Sequence, residues 1–214
     1  MRKLSESIFK HTTTTMAIMV AFSLVGTAFL AKTYLITKAP IAASEAAAKM
    51  KLFEQVLPAN EHDNDVLNDF INVPAGGELN NRKATKVYVA RVAGEASAVI
   101  LEATARDGYS GDIKLLIAVR KNGNLGGVRV ITHKETPGLG DYIDIVKDNW
   151  IKLFDGESLT KTSQKLWQVK KDGGQFDYMA GATITPRAVV KATHQALIYV
   201  DTNKTRLFAA HISK

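Results

Sequence analysis

The pattern of hydrophobic and polar positions begins with one long uncharged run near the N-terminus. Residues 12–31 carry no charged side chain, and the strongly apolar part starts at Met16. A helix of about 20 residues, rising about 1.5 Å per residue, covers the roughly 30 Å hydrocarbon core of a bilayer. Beyond Lys32, whose amine can reach the interface while its stem stays in lipid, the apolar pattern resumes up to Ile36. The sequence therefore predicts a membrane anchor over residues 12–36.

A cleaved signal peptide is the alternative interpretation of the same run. Basic residues precede the apolar stretch, as they do in secretory signals. The stretch is long for a signal peptide, however, and residues 28–31 make a poor small-x-small cleavage site. We therefore predict an uncleaved anchor. The basic N-terminus favours a cytoplasmic tail of residues 1–11 and an exported domain of residues 37–214.

Three segments beyond the anchor show helical signals. Strong helix formers predict a membrane-proximal helix over residues 41–57. Apolar residues at helical spacing predict a second helix over residues 141–154. A third helix is predicted over residues 186–200, with Thr185 as its N-cap and Pro186 at its first position, where a missing N–H costs nothing.

Strand signals lie between these helices. Segments rich in β-branched residues predict strands over residues 86–93, 96–105, 113–119 and 128–132. Asn122-Gly123 predicts a hairpin turn, because Asn and Gly accept the positive φ of tight turns. The strands and helices do not alternate regularly, so we predict an α+β domain built on an antiparallel sheet with flanking helices.

Composition and charge narrow the chemistry. The 214-residue chain contains no cysteine, which excludes thiolate nucleophiles, Cys-ligated zinc, Cys-ligated iron–sulfur clusters and disulfides. The formal net charge of +7 is spread over Lys and Arg residues that are scattered among acidic ones. No aromatic platform is interleaved with them, so we predict no nucleic-acid partner.

The sequence motifs of common enzymes are absent. The chain has no P-loop, no dinucleotide-binding glycine motif and no H-E-x-x-H pair. Residues 108–111 lack the spacing of a nucleophile elbow. The histidines are too widely separated for metal-ligand spacing: His11, His62, His133, His194 and His211. A membrane-tethered hydrolase therefore has little support.

Two segments nevertheless cluster small and hydroxyl residues where helices are predicted to begin. In residues 133–141, two glycines let backbone approach a ligand closely. In residues 177–186, Gly181 and Ala182 leave nearly bare backbone beside two threonines and a helix N-terminus, which suits a phosphate. The residues alone leave simpler interpretations open, namely a turn in which Asp141 caps a helix, and an ordinary N-cap.

The second segment carries a specific resemblance. The sequence Asp177-x-x-Ala180-Gly181-Ala182-Thr183 resembles the flavinylation motif Asp-x-x-(Ser/Thr)-Gly-Ala-Thr of periplasmic FMN-binding domains. Residues 133–140, with Glu-Thr-Pro-Gly-Leu-Gly, resemble the second signature of those domains. With its N-terminal anchor, the chain resembles the G subunit family of the Rnf (Rsx) electron-transport complex, a sister of the C subunit of the sodium-translocating NADH:quinone reductase. Ala180 departs from the motif, which has Ser or Thr there.

The resemblance implies a covalent flavin site. Thr183 would carry FMN through a phosphodiester, and Asp177 would be read by a flavin transferase that takes FMN from FAD with the help of magnesium. Other residues would bind the cofactor: Gly181, Ala182, Thr185, Glu135, Thr136, Gly138, Leu139 and Gly140. Pro137 would also line the flavin, with Tyr109 and Ser110 at its border.

The resemblance also implies a role in the membrane. The chain would be a non-autonomous, electron-carrying subunit of an ion-translocating oxidoreductase that links ferredoxin and NAD to ion transport. It would reside in the bacterial inner membrane as a single-pass protein with a periplasmic C-terminal domain, among the other subunits of the complex. The alternative is an FMN-domain scaffold or assembly subunit without redox turnover of its own.

Overall fold

The computed structural model describes residues 2–209. They form two compact units, of which the first ends at Ala48 and the second begins at Lys49. Met1 and residues 210–214, including the His211 considered above, lie outside the described residues. Helix α1 runs through Arg2–Val56. Its segment His11–Lys38 has a mean hydropathy of 1.9 and is long enough to cross a bilayer. This segment fits a single-pass membrane anchor, as the apolar run predicts.

The separate helix predicted over residues 41–57 is wrong in its start. Helix α1 continues through Pro40 without interruption, so the predicted segment is the C-terminal part of α1. A proline inside a helix removes one backbone hydrogen bond, but the alanine-rich sequence that follows has high helix propensity. Within the second unit, apolar residues near the end of α1 are buried, since Phe53 and Val56 are each 1% exposed.

A charge in the apolar segment should prevent stable insertion. We expect Val20→Asp to shift the protein from the membrane to the soluble or degraded fraction, because a central Asp costs about 2.5–3.5 kcal/mol on insertion scales. Membrane fractionation with alkaline washing measures this. Val146→Asp, at an 83% exposed position of the second unit, should leave fractionation unchanged. Equal membrane retention of Val20→Asp and wild type would contradict the anchor.

The second unit is built on a five-stranded antiparallel sheet in the order β1-β2-β3-β4-β5. The strands are β1 Phe70–Val73, β2 Thr85–Val92, β3 Glu95–Ala105, β4 Ile113–Arg120 and β5 Leu125–Thr132. Helices α2 (Ile184–Thr202) and α3 (Lys204–Ala209) follow, and α2 packs against β3 and β4. Six short 3₁₀ helices lie in the connections: Ala59–Glu61, Gly77–Leu79, Asp141–Ile143, Trp150–Phe154, Gln164–Leu166 and Lys170–Asp172. The predicted α+β class is confirmed.

Both faces of the sheet are covered, and this explains why its strands are apolar on both sides. Residues of alternate pleats, such as Leu115 and Leu116, belong to different cores. One core lies under α2 and the irregular segments, and the other lies under the last turns of α1. A strand that is buried on both faces reads as a nearly continuous hydrophobic run.

The four predicted strands are confirmed, with shifted ends and one omission. The Lys121–Asn124 turn joins β4 to β5, and Gly123 has the positive φ, +88°, that the motif predicts. Strand β5 starts at Leu125, earlier than predicted. The prediction missed this start because glycine is a poor strand former, and Gly126 and Gly127 lie there. These glycines are needed for packing, since a Cβ at Gly126 would lie 2.6 Å from the carbonyl oxygen of Val56. The short edge strand β1 was missed among polar neighbours.

The α-helix predicted over residues 141–154 is wrong. Two 3₁₀ helices, Asp141–Ile143 and Trp150–Phe154, occupy the segment instead. Asp144 Oδ1 accepts a hydrogen bond from the Val146 N–H at 3.0 Å, and Asp148 Oδ1 accepts one from the Trp150 N–H at 2.7 Å. Such side-chain bonds to nearby backbone compete with helix formation. The helix-like spacing of apolar residues reflects burial of Ile143, Trp150, Ile151 and Phe154.

Candidate functional site

A cavity of about 300 Å³ lies where the loops after β3 and β5 meet the start of α2. Its size is at the lower end of the range for ligand sites. The lining combines hydroxyl, apolar and glycine residues with one carboxylate: Tyr109, Glu135, Thr136, Leu139, Gly140, Gly181, Ala182, Thr183, Ile184 and Thr185. The two candidate segments, separated by about 40 residues in the sequence, therefore form opposite sides of one cavity.

Most of the residues predicted for the site lie around this cavity. Eight of the nine predicted cofactor contacts line it, whereas Gly138 and the predicted recognition residue Asp177 do not. Tyr109 lines it too, but Ser110 and Pro137 do not. Sequence reasoning missed Ile184, whose 46% exposed side chain lies between the two threonines at the start of α2. Its apolar character directly after the motif was the available signal.

Thr183 occupies the position before the first residue of α2 but does not cap the helix. Its backbone is helical (φ −77°, ψ −25°), and its hydroxyl makes no capping hydrogen bond. The residue is partly exposed and lines the cavity. Gly181, with φ +86°, makes the preceding turn, which the Ala182 N–H closes on the Met179 carbonyl at 3.0 Å. The N–H groups of the first turn of α2 have no partner within the helix.

The prediction that Thr185 caps α2 is wrong. The helix begins at Ile184, so Thr185 is its second residue and Pro186 its third. The Thr185 side chain is 1% exposed, and its hydroxyl donates a hydrogen bond to Glu135 Oε2. Pro186 still costs no helical bond, because the first four N–H groups of a helix have no acceptor inside it.

Glu135 joins the three segments that form the cavity. Its Oε1 accepts a hydrogen bond from the Ser110 N–H at 3.0 Å, and its Oε2 accepts one from Thr185. Its own N–H donates to Nδ1 of His133 at 3.1 Å. Glu135 is only 4% exposed, and a buried carboxylate requires hydrogen-bond donors. The bonds from Ser110 and Thr185 give one donor to each of its oxygens.

Gly140 lets the loop after β5 approach this pair closely. A Cβ at Gly140 would lie 2.9 Å from Thr185 Oγ1 and 3.0 Å from the Glu135 Cβ. The backbone of Gly140 (φ −90°, ψ −12°) is open to any residue, so the restriction is steric. Glycine is required here by packing between the loop and α2.

We expect Gly140→Ala to lower the free energy of unfolding by about 1–3 kcal/mol, as overpacking usually does. The cost should be smaller when Gly140→Ala is made in a Thr185→Ala background, because the Oγ1 that the new methyl group meets is gone. A thermal or urea unfolding series on the two single variants and the double variant gives the coupling energy. Strictly additive effects would contradict this contact.

Asp141 closes a turn and caps no α-helix. Its Oδ1 accepts a hydrogen bond from the Gly138 N–H at 2.8 Å, and its Oδ2 lies 3.8 Å from Lys147 Nζ. The left-handed φ of Gly138, +76°, shapes this turn. Gly138 thus takes part in the turn, while Leu139 and Gly140 line the cavity.

An aromatic cluster holds the loop that precedes Thr183. The Trp150 indole N–H donates to the Asp177 carbonyl at 2.7 Å, and the Met179 N–H donates to the Tyr142 hydroxyl at 3.2 Å. Burial raises the pKa of Tyr142 to about 12. The Asp177 carboxylate itself points to solvent, 56% exposed, at 2.5 Å from Lys170 Nζ. It is accessible to a partner protein.

The arrangement suits a phosphate ester better than a metal or a hydrolytic centre. Among residues 2–209, no group of three or more His, Asp or Glu side chains could hold a metal ion. The lining includes no Lys, Arg or His. It does offer a free hydroxyl, a glycine turn and a helix N-terminus, which together can hold an esterified phosphate.

Comparisons with known proteins show the family to which the chain is similar. Residues 108–198 match the family model described as an FMN-binding domain, and residues 2–56 match the model described as the RnfG N-terminal region. The chain is 48% identical over 188 residues to the G subunit of the ion-translocating oxidoreductase complex of Pseudomonas aeruginosa (strain UCBPP-PA14), with 88% of each chain covered. The chain belongs to the G subunit family of ion-translocating oxidoreductase complexes. The predicted family is thus confirmed.

Two further G subunits and one solved structure are also similar to this chain. Identity is 42% to that of Vibrio atlanticus (strain LGP32), over 90% of this chain and 91% of the relative. It is 40% to that of Aliivibrio fischeri (strain MJ11), over 89% and 90%. The crystal structure of Shewanella oneidensis NqrC aligns with a TM-score of 0.47 and 22% identity, covering 71% of this chain and 74% of NqrC. In the present chain, all residues that line the cavity fall within residues 108–198, which match the FMN-binding-domain model.

Proposed function

We propose that the cavity holds FMN joined to Thr183 through a phosphodiester. The observation that carries this proposal is the free Thr183 hydroxyl at a cavity wall, directly before the N-terminus of α2. A phosphate on this oxygen would lie beside the unpaired N–H groups and positive dipole end of the helix. Gly181 and Ala182 leave room for it, and Tyr109, Leu139 and Ile184 offer apolar surface to the flavin.

The charge of the lining explains why the attachment would be covalent. A free phosphate monoester carries about −1.5 to −2 charges at pH 7. The lining has no Lys or Arg to pair with it and contains the carboxylate of Glu135. A diester carries a single negative charge, so esterification weakens the repulsion. It also prevents loss of the cofactor from an exported domain.

The attachment step involves this chain and a flavin transferase. The Thr183 oxygen forms a bond to the phosphorus of the FMN half of FAD, the pyrophosphate bond breaks, and AMP leaves while the hydroxyl proton is released. The transferase, which uses magnesium, would read Asp177, whose exposed carboxylate supports such a contact. Ala180 offers no hydroxyl, so the site relies on Gly181, Ala182 and Thr183.

As a member of the G subunit family, the chain would work as an electron carrier within a complex. FMN, when bound, accepts and donates one or two electrons, while the protein orients it and controls its electrostatics. The other subunits would supply and remove these electrons between ferredoxin and NAD and couple the flow to ion transport.

We also propose that residues 1–11 are cytoplasmic, 12–36 span the inner membrane and 37–214 form the periplasmic domain. The absence of native cysteine makes a labelling test clean. A single cysteine at the exposed Ser163 should react with a membrane-impermeant maleimide in intact cells, whereas one at Ser5 should react only after lysis. The reverse pattern would contradict this orientation.

In-gel fluorescence and intact-protein mass test the proposed function. Full-length protein from cells that contain the transferase should give a fluorescent band after denaturation and a mass increased by one FMN less water. The same protein from cells without the transferase should be dark. A dark band and an unmodified mass in both would overturn the covalent carrier and favour the alternative, a scaffold or assembly subunit.

A further inference from the structure

The cavity contains one charged side chain that the attachment chemistry does not use. Glu135 is 4% exposed, and both of its carboxylate oxygens accept hydrogen bonds, from the Ser110 N–H and the Thr185 hydroxyl. An ionised carboxylate is an acceptor at both oxygens, and this environment supplies a donor to each. The position of the charge is fixed, because Ser110 and Thr185 belong to different segments of the fold.

No basic side chain in the described part of the chain forms an ion pair with this carboxylate. The nine other lining residues include no Lys, Arg or His. Lys147 is paired with Asp141 and Lys170 with Asp177. The cavity therefore presents one buried negative charge to whatever it holds.

We propose that the Glu135 carboxylate lowers the reduction potential of the flavin in this cavity. This inference rests on the proposed function, since it places FMN there. An external donor adds two electrons to the isoalloxazine, and one or two protons follow from solvent. When the ring takes up more electrons than protons, the reduced ring carries more negative charge than the oxidised ring. A buried carboxylate repels that charge more strongly than one in water, because the local dielectric constant is lower.

The role differs from that of a structural hydrogen-bond acceptor. Glutamine has the same size as glutamate and keeps one acceptor oxygen, so Glu135→Gln preserves much of the contact with Thr185 and removes the charge. A purely structural role would change stability or flavin content. A role through charge changes the potential of every molecule that carries flavin.

Potentiometric titration of full-length, covalently loaded protein in detergent, with dithionite as the reductant, tests the proposal. At a fixed solution potential, Glu135→Gln should raise the ratio of reduced to oxidised flavin at least tenfold, which is about 30 mV for a two-electron couple. The titration follows flavin absorbance, so it measures the loaded fraction even when loading falls. Glu95→Gln, whose wild-type side chain is 83% exposed beyond the cavity, should leave the ratio unchanged.

Two more variants separate charge from geometry. Leu139→Lys adds a positive charge at a 47% exposed lining position and should also raise the ratio. Thr185→Val removes a donor but keeps the carboxylate charge, so the ratio should not rise as it does in Glu135→Gln. Unchanged ratios in Glu135→Gln and Leu139→Lys, or a rise in Thr185→Val equal to that of Glu135→Gln, would overturn the proposal. Wild-type protein without flavin would instead overturn the proposed function.

Discussion

Replacing Thr183 by alanine should abolish covalent flavin while the protein still folds and reaches the membrane. The Thr183 hydroxyl makes no capping bond, so its loss removes the ester site but no interaction on which the fold depends. Substitutions of this kind usually change stability by less than about 0.5 kcal/mol. Intact mass and in-gel fluorescence measure the flavin, and thermal unfolding measures the stability.

The controls for this variant use other threonines. Thr205→Ala, at an exposed position of α3, should keep full flavin content. Thr183→Ser should keep part of it, since serine retains the hydroxyl. The Thr185 hydroxyl also lines the cavity, but it is buried and donates to Glu135. Flavin that persists in Thr183→Ala and disappears in Thr185→Val would show that the acceptor is Thr185.

Replacing Phe154 by alanine should produce the largest loss of stability, about 3–5 kcal/mol, as is usual for deletion of a buried aromatic ring. Phe154 is completely buried, and its ring centroid lies 4.7 Å from that of Phe176 and 5.5 Å from that of Trp150. The loss should extend to the site, because Trp150 donates to the carbonyl of Asp177 in the loop before Thr183. Denaturant unfolding measures the stability, and flavin content reports the loop.

The neighbouring residue supplies a matched control for this cluster. Leu153 lies in the same 3₁₀ helix, Trp150–Phe154, but is 40% exposed. Leu153→Ala should therefore cost much less than Phe154→Ala and leave flavin content unchanged. Equal losses in the two variants would mean that the aromatic cluster does not determine the stability of this region.

The sequence predicted the sheet well because the signals involved are local. Four strands and the turn at Gly123 follow from β-branched runs and from the positive φ that glycine allows. The apolar run within His11–Lys38 similarly needs only its own length and composition to be recognised. The candidate segments around Glu135 and Thr183 were also visible, as glycine-rich motifs.

The errors arose where side-chain hydrogen bonds, from distant or neighbouring residues, decide the local structure. Thr185 has the sequence position of an N-cap, yet its hydroxyl is taken by Glu135, 50 residues away. The helical spacing of residues 141–154 is overridden by the carboxylates of Asp144 and Asp148, which bond to nearby backbone. Propensity and periodicity cannot report such competition, because it depends on which partners are within reach after folding.

The sequence by itself determined the anchor, the fold class, the family and the motif that contains Thr183, since each is written in contiguous residues. Only the tertiary structure decided that Thr183 has a free hydroxyl and Thr185 does not, and that Glu135 leaves an unpaired charge in their shared cavity. The physical reason is that hydrogen-bond partners and charge compensation are properties of neighbours in space. The loop after β5 and the start of α2 become neighbours only when the chain has folded.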